Sequence, residues 1–97
     1  VLSLELIQET VSKYFNVTVE ELKGVKRSND VTFPRQIAMY LCRNVAQLPL
    51  TKIGAGFGKR DHTTVIHACS KIEKELQNNV STKRIVESVK NILLNDK

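Results

Sequence analysis

Six consecutive polar residues, 59–64, are the part of the chain best suited to bind an anion or a nucleic-acid base. They read Lys-Arg-Asp-His-Thr-Thr and so combine two cations, a carboxylate, an imidazole and two hydroxyls. Gly58 precedes them, and Val65, Cys69 and Ile72 follow with the spacing of one buried helix face. A glycine stop, a short turn and a new helix with polar residues at its start are typical of a helix-turn-helix, which places that start in the DNA major groove.

Nucleotide-binding loops are excluded by spacing, although glycines cluster before this segment. A P-loop needs a glycine five residues before its Gly-Lys pair and Ser or Thr after the lysine. Those positions hold Ile53 and Arg60. The dinucleotide-binding fingerprint fails too, because Lys59 stands where its third glycine belongs.

A metal site and a catalytic site are also disfavoured. His62 and His67 are five residues apart, so on a helix they diverge by about 140° instead of sharing a face, and Cys69 does not repair that geometry. Asp61, His62 and Thr63 are adjacent and project in different directions from a helix start, which does not give a triad. We therefore expect no enzymatic activity, no metal and no cofactor.

Several side chains keep two interpretations. Asp61 either caps the helix or meets a base, and its two oxygens allow both. Thr63 and Thr64 either fill the first turn or contact thymine methyl groups. His67 either packs or donates to a phosphate, and the basic face continued by Lys71 favours the phosphate.

The elements that must position these residues are helices, since the hydrophobic spacing is helical throughout and no stretch alternates. Six are predicted, and together they indicate an all-α, compact single domain over residues 1–97 with a helix-turn-helix at about 50–76. Ser3 is the predicted N-cap of the first helix, a Thr18–Glu21 capping box opens the second, which Gly24 ends, and Pro34 lies in the first turn of the third. The fourth helix is predicted from Leu50 to Phe57 and the fifth from Asp61 to about Leu76. Ser81 is the predicted N-cap of the sixth.

The excess positive charge lies in the middle of the chain. Residues 23–62 hold eight basic and two acidic residues and so carry a net charge of +6. The rest of the chain carries −1, and the total is +5. Such concentration favours a polyanionic partner. No apolar run approaches the roughly 20 residues of a membrane span, so we expect a cytoplasmic protein. Cys42 and Cys69 are expected to be buried thiols, and the start at Val1 suggests a fragment of a longer protein.

The run GFGKRDHTTVIHA at 56–68, with FPRQIAMYL at 33–41, resembles the C-terminal DNA-binding domain of the bacterial chromosomal replication initiator family, DnaA. The resemblance covers the whole chain. It implies a Trp-repressor-like helix-turn-helix that binds double-stranded DNA as a monomer, at short asymmetric origin sequences called DnaA boxes. In that family, ATP binding and self-assembly belong to a preceding ATPase domain, so the nucleoid-associated fragment would do no chemistry itself.

The resemblance also implies roles for individual residues. Asp61, His62, Thr63 and Thr64 match positions that meet bases in the major groove, and Arg27 matches an arginine that enters the minor groove. The predicted phosphate contacts are Arg35, Gln36, Arg43, Lys59, Arg60, His67 and Lys71. The chain departs from the family where Thr51 follows Leu50, since many members have Leu-Pro there. Thr51 is expected to supply the base contact that the proline would make.

Two other functions fit the pattern. A transcription regulator would use the same motif but more often dimerise on a palindrome, with half-sites about one helical turn apart. A protein-interaction module would instead dock an acidic partner on its basic face. Affinity for DNA that falls steeply with salt distinguishes DNA binding from the second alternative.

Overall fold

A computed structural model describes residues 2–95 of the chain. Over that part there is no strand, and the all-α prediction with six helices is confirmed. The helices are α1 Leu4–Phe15, α2 Val19–Lys23, α3 Asn29–Asn44, α4 Leu50–Gly56, α5 His62–Asn78 and α6 Val80–Asn95.

The first two helices begin where their capping residues predict. The Ser3 hydroxyl accepts from the Leu6 amide at 3.0 Å. At α2, Thr18 accepts from the Glu21 amide at 3.0 Å, while the Glu21 carboxylate accepts from the Thr18 amide at 2.9 Å. Each bond satisfies a backbone N–H that the helix itself leaves unpaired.

Two predicted helix starts are wrong. Helix α3 begins at Asn29 with Ser28 as N-cap, so Pro34 is its sixth residue and not part of its first turn. Residues 29–32 form that first turn. Helix α6 begins at Val80, and its first turn is capped by Asn79, whose side-chain oxygen accepts from the Thr82 amide at 3.3 Å. Ser81 lies inside the helix and does not cap it.

The core is centred on α3, which packs against α1, α2, α4 and α5. Phe57, Ile37 and Ile72 are fully buried there. Cys42 and Cys69 are buried free thiols, as predicted. Helical spacing alone predicts Tyr14 and Ile92 on the buried faces of α1 and α6, but Tyr14 is 40% exposed and Ile92 is 44% exposed.

The turn between α4 and α5 is held by close backbone contacts. Gly58 has φ +81° and Lys59 has φ +59°, so two consecutive residues are left-handed and reverse the chain. The amide of Arg60 donates to the Gly54 carbonyl at 2.8 Å. A Cβ on Gly54 would lie 2.2 Å from the Arg60 carbonyl oxygen. Only glycine allows this approach, which sets how the start of α5 is presented.

Candidate nucleic-acid interface

The start of α5 presents polar side chains to solvent. Asp61 is the N-cap, and one of its carboxylate oxygens accepts from the Thr63 amide at 3.4 Å. The same oxygen lies 2.8 Å from Nδ1 of His62. His62, Thr63 and Thr64 are all exposed. The carboxylate therefore caps the helix and orients the neighbouring imidazole, and it leaves its second oxygen and the hydroxyls free for a ligand.

A basic loop, residues 24–28, connects α2 to α3 and carries Arg27. Arg27 and Lys26 are both exposed. Lys26 forms an ion pair with Glu21 at 3.4 Å. Val25 is 90% exposed on the same loop. The loop thus projects a cation and an apolar residue together.

The loop and the start of α5 line one continuous basic groove. One part of it runs between the loop and the helix-turn-helix turn and is lined by Arg27, Arg60 and Thr64, among others. The adjoining part continues along α3 and α5 to His67 and Lys71. Both parts share the residues Thr32, Arg35, Arg60 and Thr64. The groove therefore connects the Arg27 loop to Thr64, in the first turn of α5.

The position of Arg35 differs from that expected for a phosphate contact. Its side chain is 5% exposed and lies under the loop. Its Nε donates to the Leu22 carbonyl at 2.8 Å, and its two terminal nitrogens donate to the carbonyls of Lys26 at 3.0 Å and Glu21 at 2.8 Å. Burial lowers the pKa of the Arg35 guanidinium, and the nearby positive charge of Arg60 lowers that pKa further. Arg35 thus supports the end of α2 from inside the domain.

Arg60 is also engaged with backbone carbonyls. One terminal nitrogen donates to Gly24 at 2.6 Å, while the other bonds to the Phe57 carbonyl and lies 3.4 Å from that of Lys23. Burial lowers the pKa of the Arg60 guanidinium. The side chain therefore links the helix-turn-helix turn to the beginning of the basic loop.

The floor of the groove holds two buried side-chain oxygens that form no hydrogen bond within residues 2–95. They are Oγ1 of Thr32 and Oε1 of Gln36, one helical turn apart on α3. Buried polar atoms in proteins are nearly always paired, with protein, water or ligand. The exposed side chains of His67 and Lys71 border the same floor. The Thr32 hydroxyl can donate to an anion here, whereas the unpaired Gln36 oxygen can only accept and so requires a donor.

Six predicted site residues lie outside the lining of the groove, namely Asp61, His62 and Thr63 at the start of α5 and three others. Arg43, at the end of α3, donates to the Leu48 carbonyl at 3.1 Å and remains exposed. Thr51 is exposed in the first turn of α4, and Lys59 is exposed in the turn before α5. The groove in turn includes Lys23 and Thr32, which sequence reasoning missed. Thr32 had a signal, since it precedes Gln36 by four residues and so shares its helix face.

Metal ligation and membrane insertion are two further possibilities for residues 2–95. No group of three or more His, Cys, Asp or Glu side chains is arranged there to hold a metal ion. No helix in that range has the length and apolar character needed to cross a membrane.

Comparison with known proteins identifies the family. The family model for the bacterial dnaA protein helix-turn-helix matches residues 4–72. The chain belongs to this family. It is 49% identical over 92 residues to the chromosomal replication initiator protein DnaA of Enterococcus faecalis, and 41% identical over 91 residues to that of Treponema denticola. These alignments cover 95% and 94% of this chain but 21% and 19% of the two DnaA proteins.

Solved DnaA structures share the fold. The crystal structure of a DNA replication initiation factor superimposes with a TM-score of 0.85 at 37% identity, over 95% of this chain and 28% of that one. A replication initiator DnaA bound to AMPPCP and single-stranded DNA gives a TM-score of 0.83 at 34% identity, over 96% of this chain and 28% of that one. This chain therefore spans about a fifth of the curated DnaA relatives it matches, as their helix-turn-helix domain.

Proposed function

We propose that this domain binds double-stranded DNA sequence-specifically, at DnaA boxes of a bacterial replication origin, and so directs the initiator to its start site. The supporting observation is the basic groove, which joins the Arg27 loop to the exposed start of α5. Family membership supports the same function.

The start of α5 would read the major groove. Asp61, His62, Thr63 and Thr64 supply an acceptor, an imidazole, hydroxyls and methyl groups at the end of the helix where the dipole is positive. Major-groove base edges present distinct patterns of donors, acceptors and thymine methyls, and these groups match such patterns. In this proposal Thr51, exposed at the start of α4, adds a methyl contact.

The basic loop would read the adjacent minor groove. Arg27 is exposed and is joined by Val25 on the same loop. A guanidinium is drawn into a narrow A·T-rich minor groove by its negative potential. One chain then contacts two neighbouring grooves, which suits a short asymmetric site bound by a monomer.

Phosphate contacts would fix the position of the start of α5 and of the Arg27 loop along the DNA. The exposed basic side chains proposed for these contacts are Arg43, Lys59, His67 and Lys71. Gln36 and Thr32 would add polar contacts through the groove floor. Arg35 is buried under the loop, so in this proposal it acts as a support and does not meet a phosphate directly.

We further propose that the domain has no catalytic activity and needs no cofactor. In the full-length initiator, ATP binding and self-assembly on the origin would belong to the part of the protein outside this chain. The domain would then determine where on the DNA the assembly forms.

Competition binding against randomised duplexes tests this function. We expect enrichment of one short asymmetric sequence, a complex of one chain per duplex, and a slope of log K against log salt of about −0.9 for each phosphate neutralised. Enrichment of a palindrome with two chains bound would instead indicate a dimeric regulator. Affinity for all duplexes that is equal, or insensitive to salt, would overturn sequence-specific DNA binding.

A further inference from the structure

The end of helix α2 is held in an unusual way. A five-residue helix leaves its last carbonyls without partners inside the helix. Here the carbonyls of residues 21, 22 and 26 accept from Arg35, and the carbonyl of Gly24 accepts from Arg60. Two positive guanidinium groups therefore bind the region where the basic loop begins, and both use backbone atoms as acceptors.

Of the two arginines, Arg60 connects parts of the domain with different tasks. It belongs to the helix-turn-helix turn and also bonds to the Phe57 carbonyl within that turn. Its other acceptors, the carbonyls of Lys23 and Gly24, lie 37 and 36 residues away, and Gly24 starts the loop that carries Arg27. The backbones also touch here, since a Cβ on Gly58 would lie 2.1 Å from the Lys23 carbonyl oxygen. The loop and the start of α5 are thus joined through one side chain and one glycine contact.

We propose that Arg60, supported by Arg35, is a positioning residue that sets the distance between the minor-groove loop and the recognition helix before DNA arrives. This inference rests on the proposed function and assigns Arg60 a role other than phosphate contact. Pre-organisation removes the cost of ordering a loop on binding, so Arg27 enters the minor groove at little entropic cost. We call the hydrogen bonds of Arg60 and Arg35 to these carbonyls the clamp. Loss of the clamp would therefore weaken DNA binding by misplacing Arg27.

The substitution Arg60→Lys separates positioning from phosphate contact. Lysine keeps the positive charge that a phosphate needs but is a single point donor group, whereas the planar guanidinium reaches two carbonyls on different segments. Arg84→Lys is the matched control, because Arg84 is exposed on α6 and lines no part of the groove. A phosphate role predicts little change for either variant.

The measurement uses three duplexes: a DnaA box with A·T flanks, the same box with G·C flanks at the minor-groove positions, and a scrambled sequence. For Arg60→Lys we expect the preference for A·T over G·C flanks to fall roughly tenfold, or about 1.4 kcal/mol, while the preference of the box over the scrambled duplex persists. Arg84→Lys should leave both ratios unchanged. An unchanged flank preference in folded Arg60→Lys would overturn the positioning role.

A mutant cycle shows whether Arg60 acts through Arg27. In an Arg27→Ala background, Arg60→Lys should cause no further loss of flank preference, because the residue being positioned is gone. Additive losses would contradict the inference. Failure of the unaltered domain to prefer the box over the scrambled duplex would instead overturn the proposed function, and the clamp's role in reading DNA with it.

Backbone dynamics of the unaltered, DNA-free domain test the inference even if Arg60→Lys does not fold. A clamped loop should have amide order parameters of about 0.85 over residues 24–28, as in rigid backbone. Values below about 0.6 would show a flexible loop and would overturn pre-organisation.

Discussion

At the residue scale, the contact between Asp61 and His62 determines which atoms of the imidazole are available. Nδ1 of His62 lies 2.8 Å from the Asp61 carboxylate. With Nδ1 beside the carboxylate, the other ring nitrogen, Nε2, is the atom left to meet a base. Asp61 would therefore influence specificity twice, through its own base contact and through the orientation of its neighbour.

We predict that His62→Ala lowers discrimination between a DnaA box and random DNA by about 1–3 kcal/mol. The reason is loss of a base contact at the exposed start of α5. His67→Ala is the matched control on the same helix, and as a phosphate-contact variant it should weaken binding to both DNAs alike. Competition binding measures both ratios, and an unchanged ratio for His62→Ala would contradict the assignment of the recognition residues.

Arg27→Ala should reduce affinity most where A·T pairs flank the box, because a narrow minor groove attracts the guanidinium. Lys26→Ala is the neighbouring control: Lys26 is exposed on the same loop but pairs with Glu21. Binding to duplexes with A·T and G·C flanks distinguishes the two. Equal loss on every sequence for Arg27→Ala would make it a phosphate contact.

At the scale of elements, the geometry of the helix-turn-helix depends on a glycine inside α4. Gly54→Ala would place a Cβ 2.2 Å from the Arg60 carbonyl, a backbone atom that cannot rotate away. We expect a loss of about 1–3 kcal/mol in the free energy of unfolding, together with weaker box binding. Gly56→Ala is the control, since its Cβ would meet the flexible end of Leu4 and should cost less. Denaturant titration checks the order, and equal losses would contradict it.

Much of the element structure is predictable because its signals are local. The caps at Ser3 and Thr18, the left-handed Gly58 and the cap at Asp61 each depend on residues within a few positions. Pro34 misled the prediction of the start of α3, because proline suits a first turn but is tolerated farther into a helix when other contacts hold it.

The roles of the two clamping arginines were not predictable from sequence. The sequence marks Arg35 and Arg60 as basic residues beside a DNA-binding motif, and such residues ordinarily meet phosphates. Their acceptors are main-chain carbonyls up to 37 residues away. Any residue type offers such a carbonyl, so no pattern of side chains reveals the pairing.

At the scale of the whole molecule, the two cysteines make stability depend on alkaline pH. Burial raises the pKa of the Cys42 thiol to about 12 and that of Cys69 to about 11. A thiol in the unfolded chain titrates near pH 8.5. The neutral thiols therefore stabilise the fold fully below about pH 8.5, and this contribution is lost as pH rises towards the folded pKa values.

We expect the free energy of unfolding to fall between pH 9 and 11, by up to about 1.4 kcal/mol per pH unit for a single fully shielded thiol. Cys42→Ala should flatten that fall, although it lowers stability at every pH by leaving a cavity. Denaturant unfolding at several pH values compares the slopes. Identical slopes with and without Cys42 would show that its thiol does not titrate differently on folding.

The carbonyl clamp has a consequence for how the loop can change. Arg35 and Arg60 grip main-chain oxygens, which every amino acid provides, proline included. Side chains at positions such as Val25 and Arg27 can then be replaced without loss of these hydrogen bonds. The side chains of the loop can therefore vary while its backbone stays in place. Grafting a different loop sequence of equal length offers a route to initiator domains with new flank preferences.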